Sequence, residues 1–521
     1  MNTPTLRRLL ALAPALLLAF ASAAQAPREP VIRFTTDEAF DASRTPAYAG
    51  QHDDVYAHIE ANIQDHLAHV QRWVRQPSVS AQNRGITEMA ELLAGDLRTL
   101  GFKEVALVPT DGHPGVFGFY DAGAPRTLVV YLMYDVQPEE TGWKVPAFEG
   151  RIVDHELGRV LMARGATNQK GPERAFLNAI DSIIKTRGKL PVNILVVAEG
   201  EEELGSPNYP QVIDRYEERL KQADGVFFPL NAQGASGTVS LPLGVKGILV
   251  VELEATGGTH GGPARAEIHS SLKAIVDAPA WRLTQALASL TTPDGNTIRV
   301  PGYYDAIRAP TEEEQRLVNG IVQIGKGTEA ATRAGLGVDR FIDDLSGRDL
   351  TARWLFSTTM NINGMWSGYT GEGLKTILPH VAHARLDSRL VPDQTPDGQI
   401  ALIRTHLDAQ GFTDVQVRKI AGYSPAQTSA DTPIVQAAIS VFNKHGQVPA
   451  VAPRLAGSAP YYIFTERLGL PMVMGGMGHG SGAHAPNEYM VIEPRPGSRV
   501  VGLAGAEKFY VDFLYAFGEM R

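Results

Sequence analysis

Acidic side chains crowd into the positions 199–203, where four of the five residues are glutamates, directly after the apolar run 192–198. The run is short and β-branched, as expected of a strand buried in a parallel sheet. Open α/β sheets bind their ligands at the carboxyl ends of such strands. Carboxylates crowded there oppose one another's ionisation unless a cation or a shared proton is present. The stretch predicts a site for a metal ion, a cationic ligand or a catalytic proton; the alternative is a solvated acidic loop.

The composition limits which ligands and partners fit such a site. The 521 residues include no cysteine, so a metal ion would be held by histidine, carboxylate, amide or carbonyl groups. The net charge of −9 argues against nucleic acid as a partner. The length is sufficient for two or more domains with complete cores.

Strands and helices alternate on either side of the acidic stretch, which predicts an α/β fold with a mainly parallel sheet and helices on both faces. Turn and cap signals such as Gly101 after the second helix set the boundaries. The pattern predicts helices at 56–75, 87–100, 173–187 and 212–222, and strands at 105–108, 116–120, 126–134, 192–198 and 226–228.

A different pattern begins after Gly244. Strand, helix, strand, strand, helix and strand signals, among them the strand 248–254 and the helix 279–290, predict a small inserted α+β sandwich. The segment 291–358 within it has little regular patterning. The first pattern returns after residue 424. We predict a discontinuous catalytic domain at 51–246 and 424–521, with an inserted lid or dimerisation domain at 247–423.

The N-terminus has the features of an export signal. Residues 1–24 combine Arg7 and Arg8 with a short apolar core and a small-residue cleavage site. The apolar run is too short for a membrane span. We expect a periplasmic or secreted mature protein, not attached to a membrane, with residues 25–50 as an irregular extension.

Short motifs occur in a fixed order along nearly the whole mature chain. They are Tyr134–Pro138 with Trp143, Arg164–Ala166 with Lys170 and Gly171, Glu199–Ser206, Ile268–Ser270, Asp387–Pro392, Gly457–Ser458, and Ala483–Glu488. In these motifs the chain resembles the co-catalytic zinc hydrolases that include carnosinase-like dipeptidases, aminoacylases and carboxypeptidase G. The resemblance implies a zinc-exopeptidase type of fold and hydrolysis of an amide bond.

The resemblance also implies a set of metal ligands, of which this chain keeps only part. The positions of the family's five ligands for two zinc ions are Met133, Asn168, Glu203, Leu230 and His484. Thioether, amide and hydrocarbon groups are poor ligands for a borderline divalent ion. We therefore predict one ion, most readily zinc, held by Glu203, His484 and Asn168, with the second site lost. Asp135 and His479 are candidates for replacement ligands.

The resemblance assigns catalytic and substrate-binding roles as well. Glu202 takes the position of the general base, and Asp135 that of the carboxylate which orients a ligand. His269 would stabilise the oxyanion, often in a partner subunit's site. Arg389, with Gly457 and Ser458, would hold a substrate carboxylate.

Each of these residues also has a purely structural interpretation. Glu202 could be a relic carboxylate paired with Lys170 or Arg164. His269 could be a turn or capping residue, and Arg389 could form an ion pair at the edge of a strand. Asn168 could only hydrogen-bond its loop.

Two hypotheses follow. The first is an exported metallohydrolase that cleaves the amide bonds of dipeptides or N-acyl amino acids with a single metal ion. The second is a pseudoenzyme that binds a peptide or an amino acid on the same scaffold without turnover. A homodimer formed through the inserted domain is implied by the resemblance.

Overall fold

The structure, a computed structural model, describes residues 30–520, so the predicted signal segment 1–24 lies outside the described residues. The helices are α1 (Asp53–Ala61), α2 (Ile63–Arg75), α3 (Ile86–Thr99), α4 (Lys170–Arg187), α5 (Tyr209–Leu220), α6 (Pro279–Leu290), α7 (Glu312–Ile324), α8 (Glu329–Leu336), α9 (Gly347–Phe356), α10 (Pro396–Ala409), α11 (Pro433–Lys444) and α12 (Leu503–Glu519). In this part of the chain no helix has the length and apolar character needed to cross a membrane.

The strands complete the secondary structure. They are β1 (Lys103–Val108), β2 (Gly115–Tyr120), β3 (Thr127–Met133), β4 (Arg151–His155), β5 (Gly158–Met162), β6 (Asn193–Glu199), β7 (Gly225–Pro229), β8 (Ser240–Pro242), β9 (Gly244–Thr256), β10 (Ile268–His269), β11 (Asn361–Ser367), β12 (Ile377–Leu378), β13 (Val381–Leu390), β14 (Gln416–Tyr423), β15 (Ala426–Gln427), β16 (Ala450–Ala452), β17 (Leu455–Ser458), β18 (Met472–Gly475), β19 (Gly480–Ser481) and β20 (Tyr489–Pro494).

A six-stranded sheet in the order β1-β2-β6-β3-β7-β18 forms the centre of the molecule. Strands β6, β3, β7 and β18 run parallel, and β2 and β1 continue the sheet antiparallel at one edge. The side chains of β6 alternate between two cores: Ile194 and Val196 belong to one, and Leu195 and Val197 to the other. Because helices cover both faces, the strand is apolar throughout. The predicted α/β fold is confirmed.

The parallel strands end at a common edge. Met133, the last residue of β3, pairs with Glu199, the last residue of β6, and β7 ends beside them at Pro229. A 3₁₀ turn at Glu202–Leu204 follows β6. Residues that follow these strands are therefore brought together at the carboxyl edge, where ligands bind in this type of sheet.

The inserted segment forms its own antiparallel sheet in the order β11-β13-β9-β14. Helices α6 and α10 pack on one face of this sheet, against Leu249, Val251 and Leu253 of β9. The first residues of β9 also pair with β15 and β17, two short strands from the part of the chain after residue 424. The predicted α+β insertion is confirmed.

The weakly patterned segment 291–358 contains the helices α7, α8 and α9. Thr311 and Glu314 form a capping box at the start of α7. The N-terminal extension binds this helix: Thr35 N–H donates to Gln315 Oε1 at 2.6 Å, and Phe40 N–H donates to the carbonyl oxygen of Arg316 at 2.8 Å. The extension thus fastens α7 to the rest of the molecule.

A buried ion cluster fixes α7 from its other side. Glu314 is fully buried and accepts hydrogen bonds from Arg308, at 2.6 Å, and from the buried Arg454. Burial alone would raise the pKa of Glu314, but the hydrogen bond from Arg308 and the charge of Arg454 lower it to about 2. The ordinary value is 4.5, so the folded protein binds this proton more weakly than the unfolded chain does.

This difference predicts a loss of stability in acid. The contribution of Glu314 is complete above pH 4.5 and declines as the pH falls towards 2, because the unfolded chain then binds the proton first. Between pH 6 and pH 3 we expect the wild type to lose about 2 kcal/mol more than Glu314→Gln, measured by urea denaturation at both pH values. The control is Glu312→Gln, an exposed position on the same helix. An identical pH dependence in wild type and Glu314→Gln would contradict the prediction.

Candidate active site

Asp135 binds the backbone of the acidic stretch 199–203 through hydrogen bonds. It is fully buried just after β3 and accepts hydrogen bonds from Ser80 Oγ at 2.8 Å and from the backbone N–H groups of Glu202 and Glu203 at 3.1 Å each. Burial raises the pKa of Asp135 to about 7, and the neighbouring charge of Glu203 acts in the same direction. Asp135 therefore orients the turn that carries Glu202 and Glu203.

The glutamates of the stretch have separate environments. Glu199 is buried and accepts hydrogen bonds from Tyr131 at 2.7 Å and Ser206 at 2.9 Å, and burial raises its pKa to about 8. Glu201 is also buried and accepts the N–H group of His113 at 3.1 Å. The alternative of a solvated acidic loop is wrong, because these two carboxyls point into the protein.

Three predicted metal ligands from distant parts of the chain meet at this edge. Asn168 Nδ2 lies 2.7 Å from Glu203 Oε1 and 3.1 Å from His484 Nε2, and His484 Nε2 lies 3.1 Å from Glu203 Oε2. Gln137 Nε2 donates to Glu203 Oε2 at 2.8 Å. The hydrogen bond to Glu203 raises the pKa of His484. The side chain of Glu203 is 4% exposed and that of His484 is 57% exposed, so the group opens to solvent on the histidine side.

Glu488 holds the loop that carries Asn168. Its carboxylate is fully buried and accepts hydrogen bonds from Arg164 Nη1 and from the backbone N–H groups of Gly165, Thr167 and Asn168, all at 2.9–3.0 Å. Arg164 follows β5 and Glu488 precedes β20, and these strands are antiparallel partners. The sheet therefore brings the arginine and the glutamate together and positions Asn168.

The remaining family ligand positions do not form a second metal site. Met133 is 3% exposed and packs in an apolar cluster, and Leu230 packs against the core. Asn231 Nδ2 donates to Thr167 Oγ1 at 3.0 Å, while its buried Oδ1 has no hydrogen-bond partner in the described residues. Thioether and hydrocarbon groups do not hold a divalent ion, so a two-metal centre does not fit.

A single ion fits the remaining donors better. Within residues 30–520 no group of three or more histidine, cysteine, aspartate or glutamate side chains is arranged to hold a metal ion. Glu203 and His484 are suitable zinc ligands. Asn168 would add its amide oxygen as a weaker third ligand once the amide is turned, because Nδ2 is the atom that faces Glu203 and His484 here. Three protein ligands with an open position are typical of catalytic zinc.

The two replacement ligands that the sequence suggests both have hydrogen-bond partners in the structure. His479 uses both ring nitrogens elsewhere, with Nδ1 2.8 Å from the carbonyl oxygen of Gln233 and Nε2 3.3 Å from Tyr489 Oη. Asp135 is occupied by the three donors described above. His479 as a ligand stays a prediction: its Nε2, the nitrogen that would bind an ion, contacts Tyr489 and not Glu203 or His484 in the described residues.

Glu202 lies beside these groups without an arginine or lysine partner in the described residues. Arg164 binds Glu488, and Lys170 donates to the carbonyl oxygens of Trp73 and Gln76 at 3.2 and 2.6 Å. Burial raises the pKa of Glu202 well above its ordinary value, and the charge of Glu203 acts in the same direction. The structural interpretation, a relic carboxylate paired with Lys170 or Arg164, is wrong.

Arg389 and Ser458 contact each other beside the first residues of β9. Arg389 Nη1 donates to Ser458 Oγ at 2.8 Å, and Ser458 Oγ donates to the carbonyl oxygen of Gly247 at 2.9 Å. Arg389 Nε lies 3.5 Å from Asp387, so a strand-edge ion pair is present as well. Gly457 is exposed on β17 beside Ser458. The side chain of Ser458 therefore positions the guanidinium of Arg389. The backbone of Ser458 lies beside it, where the substrate carboxylate is predicted to bind.

His269 lies in the inserted domain, and its contacts are local. Its Nδ1 is 2.8 Å from Ser271 Oγ and accepts the N–H group of Ser271, and its Nε2 is 3.2 Å from Thr376 Oγ1. The residue is exposed and caps a short 3₁₀ turn. Both the capping interpretation and a role in the site of a second copy are compatible with this position.

Sequence reasoning assigned no role to Gln137, Glu488 or Asn231. Gln137 and Glu488 lie inside the motifs Tyr134–Pro138 and Ala483–Glu488. Their place in these motifs was the one sequence feature that could have marked them as functional. Their contacts depend on which strands become neighbours, and no local pattern shows that.

The fold and the site together define a hydrolase of the metallopeptidase class. The sequence profile of Peptidase family M20/M25/M40 matches residues 134–495, and the chain belongs to this family. It is 28% identical to the Cys-Gly metallodipeptidase DUG1 of Candida albicans over 461 residues, which cover 81% of this chain and 90% of that protein. It is 26% identical to the Beta-Ala-His dipeptidase of Rattus norvegicus over 413 residues, 73% of this chain and 79% of the other.

The solved structures agree with this assignment. The M20 family metallo-carboxypeptidase Sso-CP2 from Sulfolobus solfataricus superposes with a TM-score of 0.77 at 32% identity, over 87% of this chain and 99% of that one. The resemblance stated from the sequence motifs is confirmed.

Proposed function

We propose that this protein hydrolyses the amide bond of dipeptides or N-acyl amino acids with one divalent ion, most readily zinc, held by Glu203, His484 and Asn168. The observation that carries the proposal is the convergence of these three side chains within 3.1 Å of one another. The bound ion would supply a Lewis acid that polarises the substrate carbonyl and lowers the pKa of water. Side chains of the protein carry out the proton transfers, bind the substrate carboxylate and stabilise the oxyanion.

Glu202 is the general base in this proposal. It takes a proton from the attacking water as the new C–O bond forms, and passes that proton to the amine nitrogen as the C–N bond breaks. Burial raises the pKa of Glu202, which makes its carboxylate a stronger base towards the attacking water. Asp135 keeps the base and the adjacent ligand in place through their backbone N–H groups.

Arg389 binds the substrate carboxylate, and Ser458 and Gly457 border it. A guanidinium fork fits a carboxylate with two parallel hydrogen bonds, which fixes the orientation of the substrate. Dipeptides and N-acyl amino acids both have such a carboxylate. The names of the relatives, a Cys-Gly metallodipeptidase and a Beta-Ala-His dipeptidase, support the dipeptide in particular.

The oxyanion would be stabilised by His269 from a second copy. His269 is exposed, and among residues 30–520 the hydrogen-bond partners of its ring, Ser271 and Thr376, belong to the inserted domain. A homodimer formed through the inserted domains would allow the imidazole to reach a neighbouring site. We also propose that the protein acts after export to the periplasm or the medium, on the basis of the signal-like residues 1–24.

Metal content and hydrolysis test this proposal together. Protein purified without chelator should contain close to one equivalent of metal by elemental analysis, and it should hydrolyse members of a dipeptide panel. We expect Glu203→Ala and His484→Ala each to lose the metal and at least about 100-fold in kcat/KM, as removal of a ligand does. His479→Gln is the matched control: it should keep the metal, because both of its ring nitrogens bind elsewhere.

The opposite result would favour a pseudoenzyme. The amide of Asn168, the carboxylate of Glu203 and the ring of His484 lie close enough to satisfy one another without an ion. Absence of bound metal, with no hydrolysis of dipeptides or N-acyl amino acids after addition of zinc, manganese or cobalt, would leave ligand binding as the function.

A further inference from the structure

A large cavity lies in the inserted domain beside the predicted carboxylate clamp. Its volume is about 1310 Å³, which exceeds the usual range of small-molecule sites. Its walls come from the end of α6, from α7 to α9, and from the start of β11. Apolar side chains form most of this lining, including Leu290, Ile321, Trp354 and Ile362.

One end of the cavity reaches the substrate-binding residues. Arg389 and Ala456 both line it, and Ala456 is directly followed by Gly457 and Ser458. Lys246 lies at the same end, where it is the strand partner of Ser458. The cavity is therefore continuous with the place where the proposed substrate carboxylate binds.

The lining contains both basic and acidic side chains, and Arg389 is the basic one at the predicted carboxylate clamp. Four basic side chains, Lys246, Lys326, Arg353 and Arg389, and two acidic ones, Asp294 and Glu329, belong to the lining. Arg389 donates through Nη1 to Ser458, and its Nη2 makes no hydrogen bond within the described residues. A guanidinium at the end of an apolar chamber fits a carboxylate that carries a large apolar group.

The wall of the cavity is fastened by the N-terminal extension. Ile32 and Phe34 pack on the small apolar cluster of α7 and α9, and Asn319 Nδ2 of α7 donates to the carbonyl oxygen of Glu38 at 2.8 Å. These contacts hold α7 in place from outside the chamber. A preformed wall lowers the ordering cost of binding, which favours a binding site.

We propose that this cavity binds the apolar group of a substrate whose carboxylate is held by Arg389, so that the preferred substrates are peptides with a large apolar C-terminal side chain. This inference rests on the proposed function for the identity of the carboxylate clamp. Burying a Leu or Phe side chain contributes enough free energy for a preference of about tenfold or more over glycine.

A direct measurement of dipeptide binding tests this proposal independently of catalysis. In the full chain carrying Glu202→Gln, to prevent turnover, titration calorimetry would compare Gly-Gly, Gly-Leu, Gly-Phe and dodecanoate. We expect Gly-Leu and Gly-Phe to bind at least about tenfold more tightly than Gly-Gly. Because calorimetry needs no turnover, a wild type that hydrolyses no dipeptide would refute the proposed function, while the calorimetry of the variant would still report the preference of the cavity.

Charged substitutions in the lining test whether the apolar side chain of the substrate binds in this cavity. Trp354 and Ile362 are 62% and 50% exposed, so Trp354→Glu and Ile362→Glu are compatible with folding. We expect each to reduce the preference for Gly-Phe to less than about threefold and to leave Gly-Gly binding unchanged. Ile420→Glu is the matched control, since Ile420 is 43% exposed on β14 at the opposite edge of the sheet. Arg389→Ala should weaken all the dipeptides alike.

Three results would overturn the proposal. The first is equal affinity for Gly-Gly and Gly-Phe. The second is binding of dodecanoate without binding of the apolar dipeptides, which would assign the cavity to a fatty acid. The third is a change from dimer to monomer in Trp354→Glu and Ile362→Glu, seen by analytical ultracentrifugation, with the dipeptide preference intact. That result would assign the surface to contact with a second copy.

Discussion

Glu202→Gln should lower kcat for a dipeptide substrate by about 10²–10⁴-fold, with little change in KM. The substitution keeps the size of the side chain and removes only its ability to take up the proton of the attacking water. Asp135 binds the backbone N–H group of residue 202 and not its side chain, so the turn should keep its shape. The proposed ligands Glu203 and His484 are unchanged, so the metal content should equal that of the wild type. Steady-state kinetics and elemental analysis on the same preparations measure both quantities.

The adjacent acid provides the control for this experiment. Glu201 is buried in the same stretch and accepts hydrogen bonds from His113 N–H and, at 2.8 Å, from Asn208 Nδ2. Its carboxylate therefore supports the loop and does not take part in proton transfer. We expect Glu201→Gln to lose some stability and to keep kcat within about threefold of the wild type. A Glu202→Gln enzyme with unchanged kcat would exclude this residue as the base.

The central fold could be predicted because its strands are apolar over their whole length. In β6, the side chains of Ile194 and Val196 enter one core and those of Leu195 and Val197 enter the other, so the entire run is apolar. A run of this kind, ended by glycine and acidic residues, indicates a central strand even without an alignment. Amphipathic spacing gave the helix 279–290 with the bounds that α6 has in the structure.

Elements held by tertiary contacts were harder to predict. The predicted helix 56–75 is two helices, α1 and α2, which are separated at Asn62, whose side-chain amide donates to the carbonyl oxygen of His58 at 2.8 Å. This local hydrogen bond competes with the helix. The helices within 291–358 were not predicted, although Thr311 and Glu314 form a capping box. These helices are stabilised by the N-terminal extension and by Arg454, which are remote in sequence.

In the candidate site, too, some features could be predicted from the sequence and others depend on tertiary contacts. The sequence identified Glu203, His484 and Asn168 through their resemblance to family motifs, and the structure brings them together. His479 as a further ligand stays a prediction, because the sequence does not show which backbone and side-chain groups will contact its ring. The domain boundaries at 246 and 424 stay predictions, since β9 begins at Gly244 and pairs with strands from both predicted domains.

Glu488→Ala should destabilise the protein by about 3–5 kcal/mol and remove activity at the same time. The substitution leaves the guanidinium of Arg164 buried without its partner, and it also leaves the N–H groups of Gly165, Thr167 and Asn168 without their acceptor. The loop that carries Asn168 then loses its support. Urea denaturation measures the free energy of unfolding, and the metal content reports the state of the loop.

An exposed ion pair between the same two strands, β5 and β20, is the matched control for this loss. Arg159 and Glu493 approach to 3.1 Å, but their side chains are 53% and 49% exposed, so Glu493→Ala should cost less than about 1 kcal/mol. The double variant Arg164→Met with Glu488→Leu should be more stable than Glu488→Ala, because it removes the unpaired buried charge. Its metal content should nevertheless fall, since no carboxylate then binds the N–H group of Asn168. If Glu488→Ala were no less stable than Glu493→Ala, the buried pair would not be what holds this loop.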